Sequence, residues 1–431
     1  MESVPQALSA RKKNSFAYKT IKERLPVILA KVADSVFRAK TVIKENHGEQ
    51  GQEDLKTIAG CVSKMRNELM TSKPLIPLED NRSDTKVWND YLEEVAEREE
   101  EPPSWFTSSW LYVETYMYRR IQEAVEKCAV LKQYDVFQEQ KEKALSDSHE
   151  AVMILLKYLL TLVQEIEEGK KIDTQLLFKE FMQVCLWGNK CDLSISAGLE
   201  NSQKSCPLDQ VNTLRPYILI DDLDTVWNKI VSSGPGRVDI ILDNAGFEVA
   251  TDLCLAEFLL TSKLATSVNF HAKAFSWFVS DVTPVDFENT LQRLMMCNSM
   301  ATDFFLKRWK GRLEDGTWKL QVHDFWTTPF PYCEMKSRSP DLYEELSKSK
   351  LLIFKGDLNY RKLLSDLDWP TTTPFETSLQ GFGPSPLVSL RALKADLVTG
   401  LQEGQVEKVA AQDANWMVDG SWAVISFADK Q

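Results

Sequence analysis

The sequence has no apolar run long enough to cross a membrane and no paired cysteines. Its longest apolar stretch, residues 151–163, contains Lys157 and falls short of the ~20 residues that span a bilayer. The eight cysteines form no CxxC pair, which argues against both a zinc ribbon and a disulfide framework. The N-terminus has no basic start followed by an apolar run, so no signal peptide is expected. We therefore expect a soluble chain in the reducing cytoplasm, and the sequence does not exclude entry into the nucleus.

Basic residues are in the minority. The 431-residue chain has 51 Lys and Arg against 63 Asp and Glu, which gives a formal net charge of −12. This balance argues against direct nucleic-acid binding and against a broad surface for anionic membranes. An anionic ligand would therefore have to meet a small, local positive site.

Most familiar catalytic motifs are missing as well. The sequence contains no GxSxG, HExxH or GxxxxGK[ST] motif, and no GxGxxG follows a predicted strand. Its four histidines are dispersed and are interpreted as hydrogen-bonded or exposed side chains. We therefore expect carboxylates or metal-bound water to carry out any acid–base chemistry.

The first part of the chain has helical periodicity. Apolar residues recur every three or four positions, Pro26 lies where a first-turn proline is tolerated, and Asp173 is a candidate N-cap. The acidic stretch at 93–103 is predicted to be a solvated helix end and loop. Helices are predicted around residues 28–36, 55–69, 110–121, 152–166 and 173–186.

After a polar run at 196–205, short β-rich runs alternate with helical ones. Such alternation predicts an α/β fold, a mostly parallel sheet with helices on both faces. We divide the chain into a helical N-terminal domain, residues 1–205, and an α/β domain, residues 206–431. Strands are predicted at 238–242, 267–270, 275–279 and 351–354, helices at 248–262, after Pro284 and from Asn359, and a hairpin at 311–325.

Oxygen-bearing side chains follow three of these four strands. Asp243 and Asn244 follow the first, Asp281 follows the third, and Asp357 follows the fourth. Ligands of open α/β sheets bind beyond the carboxyl ends of the strands, so these side chains are expected to meet at one edge. Asp243, Asn244 and Asp281 form a hard oxygen set that suits Mg²⁺ or Mn²⁺ better than zinc. Each is also a common helix cap or turn residue, and this alternative stays open.

Positive groups lie near the same predicted edge. Gly356 would let the backbone approach an anion, and Arg361 on the following helix would add a fork of donors. Arg391 and Lys394 follow an apolar run that begins near Leu387, and lysine is a natural partner for phosphate. A surface salt bridge is the alternative interpretation of this Arg/Lys pair.

Five segments together resemble the damage-control phosphatase family, and in particular its subfamily III, the sugar-phosphate phosphatases. The likeness covers nearly the whole chain. The segments are LDNAGFE at 242–248, KGDLNYRK at 355–362, the Arg391/Lys394 pair, ETYMYRR at 114–120 and WGNKCDLS at 187–194.

The resemblance implies a helical N-terminal domain packed on a three-layer α/β/α Rossmann-like domain with one divalent metal. Mn²⁺ or Ni²⁺ is favoured, with Co²⁺ or Mg²⁺ as alternatives, and Asp243, Asn244 and Asp281 match the metal ligands and catalytic residues. The implied substrates are fructose 1-phosphate and fructose 6-phosphate, and the implied role is the control of damaged metabolites. The residues that match the substrate contacts are Asp243, Asn244, Asp357, Leu358, Asn359, Tyr360, Arg361 and Lys394.

One departure from the family pattern concerns the signature Arg-Thr-x-Lys, in which this chain has Ala392 at the threonine position. The charges of Arg391 and Lys394 are kept, but the hydroxyl group is lost, so substrate preference is the property expected to change.

Two alternatives to a phosphatase stay open. The resemblance also implies methyl transfer from S-adenosylmethionine to glutamate side chains of a protein substrate, with Glu248 and Asp281 touching that cofactor. The second alternative is a non-catalytic adaptor whose helical half binds a partner protein.

Overall fold

The structure, a computed structural model, describes residues 4–99, 101–188, 207–297 and 299–430. The helical region predicted for the first part of the chain is confirmed, and a π-helical turn, Thr20–Arg24, joins its first two helices. The helices of this region are α1 (Phe16–Lys19), α2 (Leu25–Arg38), α3 (Lys40–Met70, kinked at Gly48), α4 (Thr85–Arg98), α5 (Trp110–Glu126), α6 (Gln138–Asp147), α7 (His149–Glu167) and α8 (Thr174–Leu186).

The apolar periodicity and the caps explain these helices. Leu29, Val32 and Val36 lie on one buried face of α2. The side chain of Asp173 accepts a hydrogen bond from the backbone N–H of Leu176, so it caps α8 as predicted. Helix α5 is buried along nearly its whole length.

Seven strands form one sheet in the order β1-β7-β6-β5-β2-β3-β4. All neighbouring pairs are parallel except β6 and β7, so the carboxyl ends of β2 to β6 lie at one edge, where β7 begins. The strands are β1 (Ile218–Asp221), β2 (Gly236–Ile241), β3 (Ala265–Ala272), β4 (Trp318–Val322), β5 (Leu351–Lys355), β6 (Leu387–Ala392) and β7 (Ala423–Ala428).

Helices cover both faces of the sheet, which confirms the predicted α/β architecture. Alternate residues of β5 enter different cores: Leu352 and Phe354 pack with α2 to α5, whereas Leu351 and Ile353 pack with α7 and α8. The remaining helices are α9 (Pro207–Leu214), α10 (Leu223–Ser232), α11 (Phe247–Thr261), α12 (Pro284–Met295), α13 (Met300–Glu314), α14 (Met335–Arg338), α15 (Pro340–Leu346), α16 (Gly356–Leu363), α17 (Phe375–Ser378) and α18 (Gln405–Ala410).

Two local predictions are wrong. Residues 275–279 form a loop instead of a strand, because Phe278 and Val279 have positive φ angles of 43° and 71°, outside the β region. Residues 311–325 do not form a hairpin, because α13 continues to Glu314 and the strand that follows pairs in parallel with β3. The helix expected from Asn359 begins earlier, at Gly356.

Some predictions fall on residues that the structure leaves undescribed. These are the polar run at 196–205, the motif residues 189–194 and the domain boundary at 205. The division into two domains stays a prediction. Among the described residues, no helix is both long and apolar enough to span a membrane.

Candidate active site

The end of β2 places Asp243 and Asn244 at the carboxyl edge of the sheet. The amide of Asn244 donates to Asp243 Oδ2 at 2.5 Å and to Glu248 Oε2 at 2.9 Å. Gly356, at the end of β5, has a φ of 83°, and a Cβ atom there would lie 1.9 Å from Asp243 Oδ2. Only glycine therefore fits beside this carboxylate, and the close approach joins the ends of two strands.

Asp281 reaches the same edge from the loop that follows β3. Its backbone pairs with that of Asn244 in an isolated bridge, and the hydroxyl of Ser280 donates to Asn244 Oδ1. Lys273 holds the loop, because its Nζ atom donates to the carbonyl oxygen of Leu242 at 2.8 Å and lies 3.3 Å from Asp281 Oδ2. Asp281 is therefore in its predicted place, although a loop and not a strand carries it there.

The carboxylates of this edge repel one another. Burial, together with the charges of Glu248 and Asp281, raises the pKa of Asp243 well above its ordinary value. Burial likewise raises the pKa of Asp281 to about 6, although Lys273 acts in the opposite direction. This edge of the sheet therefore brings several carboxylates together in a buried site. A bound cation would reduce the repulsion between them.

A buried lysine at the end of β5 organises the acidic side of the edge. Lys355 Nζ donates to Glu248 Oε1 at 3.0 Å and to Asp252 Oδ1 at 2.8 Å, and these carboxylates raise the pKa of the lysine in spite of its burial. No role was expected for Lys355 or Lys273 from the sequence. Lys355 ends an otherwise apolar strand, where a charge needs a partner, but the sequence does not say which partner it has. Lys273 follows a strand that contains several polar residues, so it gives no such signal.

The positive side of the site lies between α16 and β6. Arg391 is buried and donates from Nε to Asp357 Oδ1 at 2.8 Å, while the backbone N–H of Lys394 donates to the same oxygen at 3.2 Å. Burial raises the pKa of Asp357, but Arg391 and Arg361 outweigh it and hold this pKa below its ordinary value. Arg391 thus positions an ionised Asp357, and its interpretation as a surface salt bridge is wrong because the side chain is buried.

Lys394 is the exposed cation at this edge. Its side chain lies over Gly420, and across the described ranges its Nζ atom has neither a hydrogen-bond partner nor an ion-pair partner. An exposed ammonium group without a partner is available to an anionic ligand.

Three residues predicted to touch the substrate make other contacts. Arg361 donates to Glu114 Oε2 at 2.6 Å and to both oxygens of Asp366, and only part of it reaches a cavity. Asn359 is buried and donates to the carbonyl oxygen of Lys355 at 2.7 Å. Tyr360 is also buried, and its hydroxyl accepts from the backbone N–H of Thr399. The walls of the two cavities described below include neither Asn359 nor Tyr360.

Two adjoining cavities share Asp243, Asn244, Asp357 and Lys394 in their walls. The smaller, of about 120 Å³, also touches Asp281, Leu358 and Arg361. The larger, of about 350 Å³, extends past Glu248, Gly356, Trp187 and Ala392 to Gly420. The structure therefore brings together six of the eight residues predicted to bind the substrate, together with all three predicted metal ligands.

The donor set fits a divalent metal ion. Across the described residues no group of three or more His, Cys, Asp or Glu has metal-site geometry, but the predicted set is two carboxylates and one amide. Oδ2 of Asp281 is buried with the ammonium group of Lys273 at 3.3 Å, but it accepts no hydrogen bond of standard geometry from the described residues, and Asp243 is destabilised by neighbouring negative charge. Oxygen donors in this state suit a hard cation.

Comparison with known proteins agrees with the resemblance found in the sequence. Residues 20–409 match the family model of the damage-control phosphatase ARMT1-like domain. Proteins named damage-control phosphatase ARMT1 are similar over the full length: the Danio rerio protein is 46% identical over 98% of this chain and 97% of its own. The Homo sapiens protein is 42% identical over 99% of both chains. A solved DUF89 family protein from Pyrococcus horikoshii matches with a TM-score of 0.42 and 13% identity over 87% of this chain and 98% of its own. The chain therefore belongs to the damage-control phosphatase ARMT1-like family.

Proposed function

We propose that this chain is a divalent-metal-dependent phosphatase that hydrolyses phosphomonoesters of small sugars such as fructose 1-phosphate and fructose 6-phosphate. The observation that carries the proposal is the meeting of Asp243, Asn244 and Asp281 with the free ammonium group of Lys394 around one pair of cavities. Family membership supports phosphate-ester hydrolysis, since the similar proteins are named as phosphatases.

Asp243, Asn244 and Asp281 are the residues that would hold the metal, with Mn²⁺ or Ni²⁺ as first choice and Co²⁺ or Mg²⁺ as alternatives. A divalent cation held by these residues would supply Lewis acidity to a phosphoryl oxygen and would lower the pKa of a water molecule. Asn244 fixes the position of Asp243 relative to Asp281. Its amide donates to Asp243, and its carbonyl oxygen accepts from Ser280, the residue before Asp281. The protein therefore contributes a rigid set of oxygen donors.

The protein's own groups bind and orient the ester. Lys394 binds the phosphate oxygens, and α16 begins at Gly356 so that its positive dipole end points to the same edge. Asp357, held ionised by Arg391, accepts a hydrogen bond from a sugar hydroxyl or from the attacking water. Water adds to phosphorus, the P–O bond to the sugar breaks, and the sugar oxygen leaves with a proton. The cavity of about 350 Å³ has room for the sugar.

The methyl-transfer alternative would require Glu248 and Asp281 to contact S-adenosylmethionine. Both oxygens of Glu248 already accept hydrogen bonds, from Lys355 and from Asn244, and the side chain is buried. These contacts give Glu248 a part in shaping the metal end of the site, so they support the phosphatase proposal.

Asp243→Asn tests the proposal. The variant keeps the shape of the side chain but removes the charge of a metal ligand. Mn²⁺-stimulated phosphate release from fructose 1-phosphate should fall by more than the ~10–100-fold that loss of an outer-shell partner causes at metal sites. Its thermal midpoint should stay equal to or above that of the wild type, because Glu248 and Asp281 repel the native carboxylate.

The control is Asp429→Asn, which removes an exposed carboxylate paired with Lys229 and should change neither property. Addition of a chelator to the wild type should stop phosphate release, and Mn²⁺ should restore it. Near-wild-type release by the Asp243 variant, or release unaffected by the chelator, would sink the proposal.

A further inference from the structure

A third cavity, of about 680 Å³, lies between the N-terminal helices and the loop that follows β3. It shares Arg24, Phe278 and Ser280 with the smaller cavity of the candidate active site, so the two adjoin. Its wall combines the phenyl rings of Phe16 and Phe137 with charged side chains at the rim. Nothing in the proposed phosphatase mechanism uses this space.

The rim of this third cavity is positive. Lys19, Arg24 and Lys31 are its basic lining residues, against the single carboxylate of Glu23. In the part of the chain that the structure describes, none of the three cations has an ion-pair partner or a side-chain hydrogen bond. In a chain whose net charge is −12, three unpaired cations around one cavity form the kind of local field that attracts an anion.

The backbone at the junction of the cavities has unusual conformations on both sides. Arg24 ends the π-helical turn Thr20–Arg24. Such turns are rare in proteins, and those that occur are often found at functional sites. Phe278 and Val279 have positive φ angles, and the ring of Phe278 stacks on Tyr118 with centroids 4.5 Å apart. Strain of this kind persists where the surrounding contacts fix it, and it clusters at ligand sites.

The third cavity also has a direct link to the predicted metal ligands. Ser280 lies in its wall, and the hydroxyl of Ser280 donates to Asn244 Oδ1. A ligand that occupies both cavities would therefore pass between Arg24 and Ser280, with one end beside Asp281 and the other at the basic rim.

We infer that the third cavity is a subsite for a second anionic group of the substrate, a phosphate or a carboxylate that extends from the ester being cleaved. Arg24 and Lys31 bind this distal group, and Arg24 at the junction selects for substrates that carry it. The inference rests on the proposed phosphatase function and deepens it. It narrows the substrate class to sugar phosphates with two anionic ends, such as a sugar bisphosphate.

The test compares fructose 1,6-bisphosphate with fructose 6-phosphate on the full chain with Mn²⁺. Affinity is measured by calorimetry, and kcat/KM by phosphate release. The wild type should prefer the bisphosphate by about tenfold in both affinity and kcat/KM. This preference should shrink as the salt concentration rises, because the rim is exposed. Lys31→Ala should lower the preference about threefold, and the double variant Arg24→Ala/Lys31→Ala should abolish it.

The matched control is Lys22→Ala, which removes the same charge from the same π-helical turn. Lys22 lies over the ring of Tyr18, away from the third cavity, so this variant should keep the full preference. A further arm adds inorganic phosphate to the monophosphate. If free phosphate alone raises monophosphate affinity in the wild type but not in the double variant, the cavity binds a separate anion, and the inference of a second group on the substrate is wrong.

The remaining outcomes separate the two proposals. If the bisphosphate binds tightly through Arg24 and Lys31 but neither ester releases phosphate, the subsite proposal stands and the phosphatase proposal is wrong. If both esters release phosphate and the double variant keeps the full preference for the bisphosphate, the phosphatase proposal stands and the subsite proposal is wrong.

Discussion

Gly356 has a φ of 83° and lies against the carboxylate of Asp243. Gly356→Ala would cost about 1–2 kcal/mol of unfolding free energy for the left-handed backbone alone. The new Cβ would also lie 1.9 Å from Asp243 Oδ2, so the carboxylate must move. We expect the variant to lose most of its metal-stimulated turnover, as measured by phosphate release beside urea unfolding.

Gly381 offers a matched control for this substitution. It has the same φ of 83°, but among the described residues no heavy atom other than those of its chain neighbours lies within 4 Å of the position that a Cβ would take there. Gly381→Ala should show the backbone cost without loss of turnover. Equal turnover in the two variants would mean that the Gly356 contact does not position Asp243.

At the scale of single residues, the sequence predicted side chains better than their partners. Asp243, Asn244 and Asp281 could be chosen because carboxylates and amides at the ends of apolar runs are few. The roles of Lys273 and Lys355 could not be predicted, because they depend on which oxygen atoms the fold brings close: a carbonyl and a carboxylate within 3.3 Å of Lys273, and two carboxylates within 3.0 Å of Lys355. Arg361 was chosen for its charge, and its buried acidic partners are visible only in three dimensions.

Among the elements, a buried arginine joins α5 to the segment that leads into α4. Arg119 on α5 has no exposed surface and donates to Asp80 at 2.6 Å and to Asp84 at 2.9 Å. Removing one partner of a buried ion pair leaves unpaired charge, so Arg119→Met should cost about 3–5 kcal/mol of unfolding free energy. Arg38→Met, whose partners are exposed, should cost less than about 1 kcal/mol.

The pH dependence of this pair has a definite sign. Burial raises the pKa of Asp80, but hydrogen bonds from Arg119 outweigh it and hold the pKa at about 2, below the ordinary value of 3.8. The stabilisation is therefore complete above pH 3.8 and is lost as the pH falls towards 2. In Arg119→Met the carboxylate of Asp80 gains from protonation instead, so the deficit in unfolding free energy against the wild type should narrow between about pH 7 and pH 3. A constant deficit in urea unfolding would contradict this assignment.

The elements also show where periodicity is a sufficient guide. The apolar side chains of the run at 238–242 are divided between the two cores on opposite faces of the sheet, and the run is a strand, as predicted. The run at 275–279 is just as apolar, yet it is a loop whose rings pack on Tyr118 of α5. Composition alone cannot distinguish them, because the second run is apolar for packing against a helix that lies far away in sequence.

For the whole molecule, the question is how the helical region is fixed to the sheet beside the active site. Arg361 on α16 donates to Glu114 of α5 at 2.6 Å and to both oxygens of Asp366, and its guanidinium lies 3.6 Å above the ring of Trp110. The backbone oxygen of Asp366 in turn accepts from the N–H of Leu8. One buried cation therefore joins the N-terminal segment, a central helix and the edge of the sheet.

This placement separates two residues that the sequence analysis grouped as phosphate contacts. Arg361→Met would leave Glu114 and Asp366 buried without their cation, and we expect a loss of about 3–5 kcal/mol of unfolding free energy. Lys394→Met removes an exposed, unpaired cation, so its unfolding free energy should change by less than about 0.5 kcal/mol. Its kcat/KM for fructose 1-phosphate should instead fall by the equivalent of ~2–4 kcal/mol. Urea unfolding and kcat/KM measured on both variants distinguish the roles: an Arg361 variant of wild-type stability with impaired turnover would make Arg361 a direct phosphate ligand, and the link between the two halves would then have to lie elsewhere.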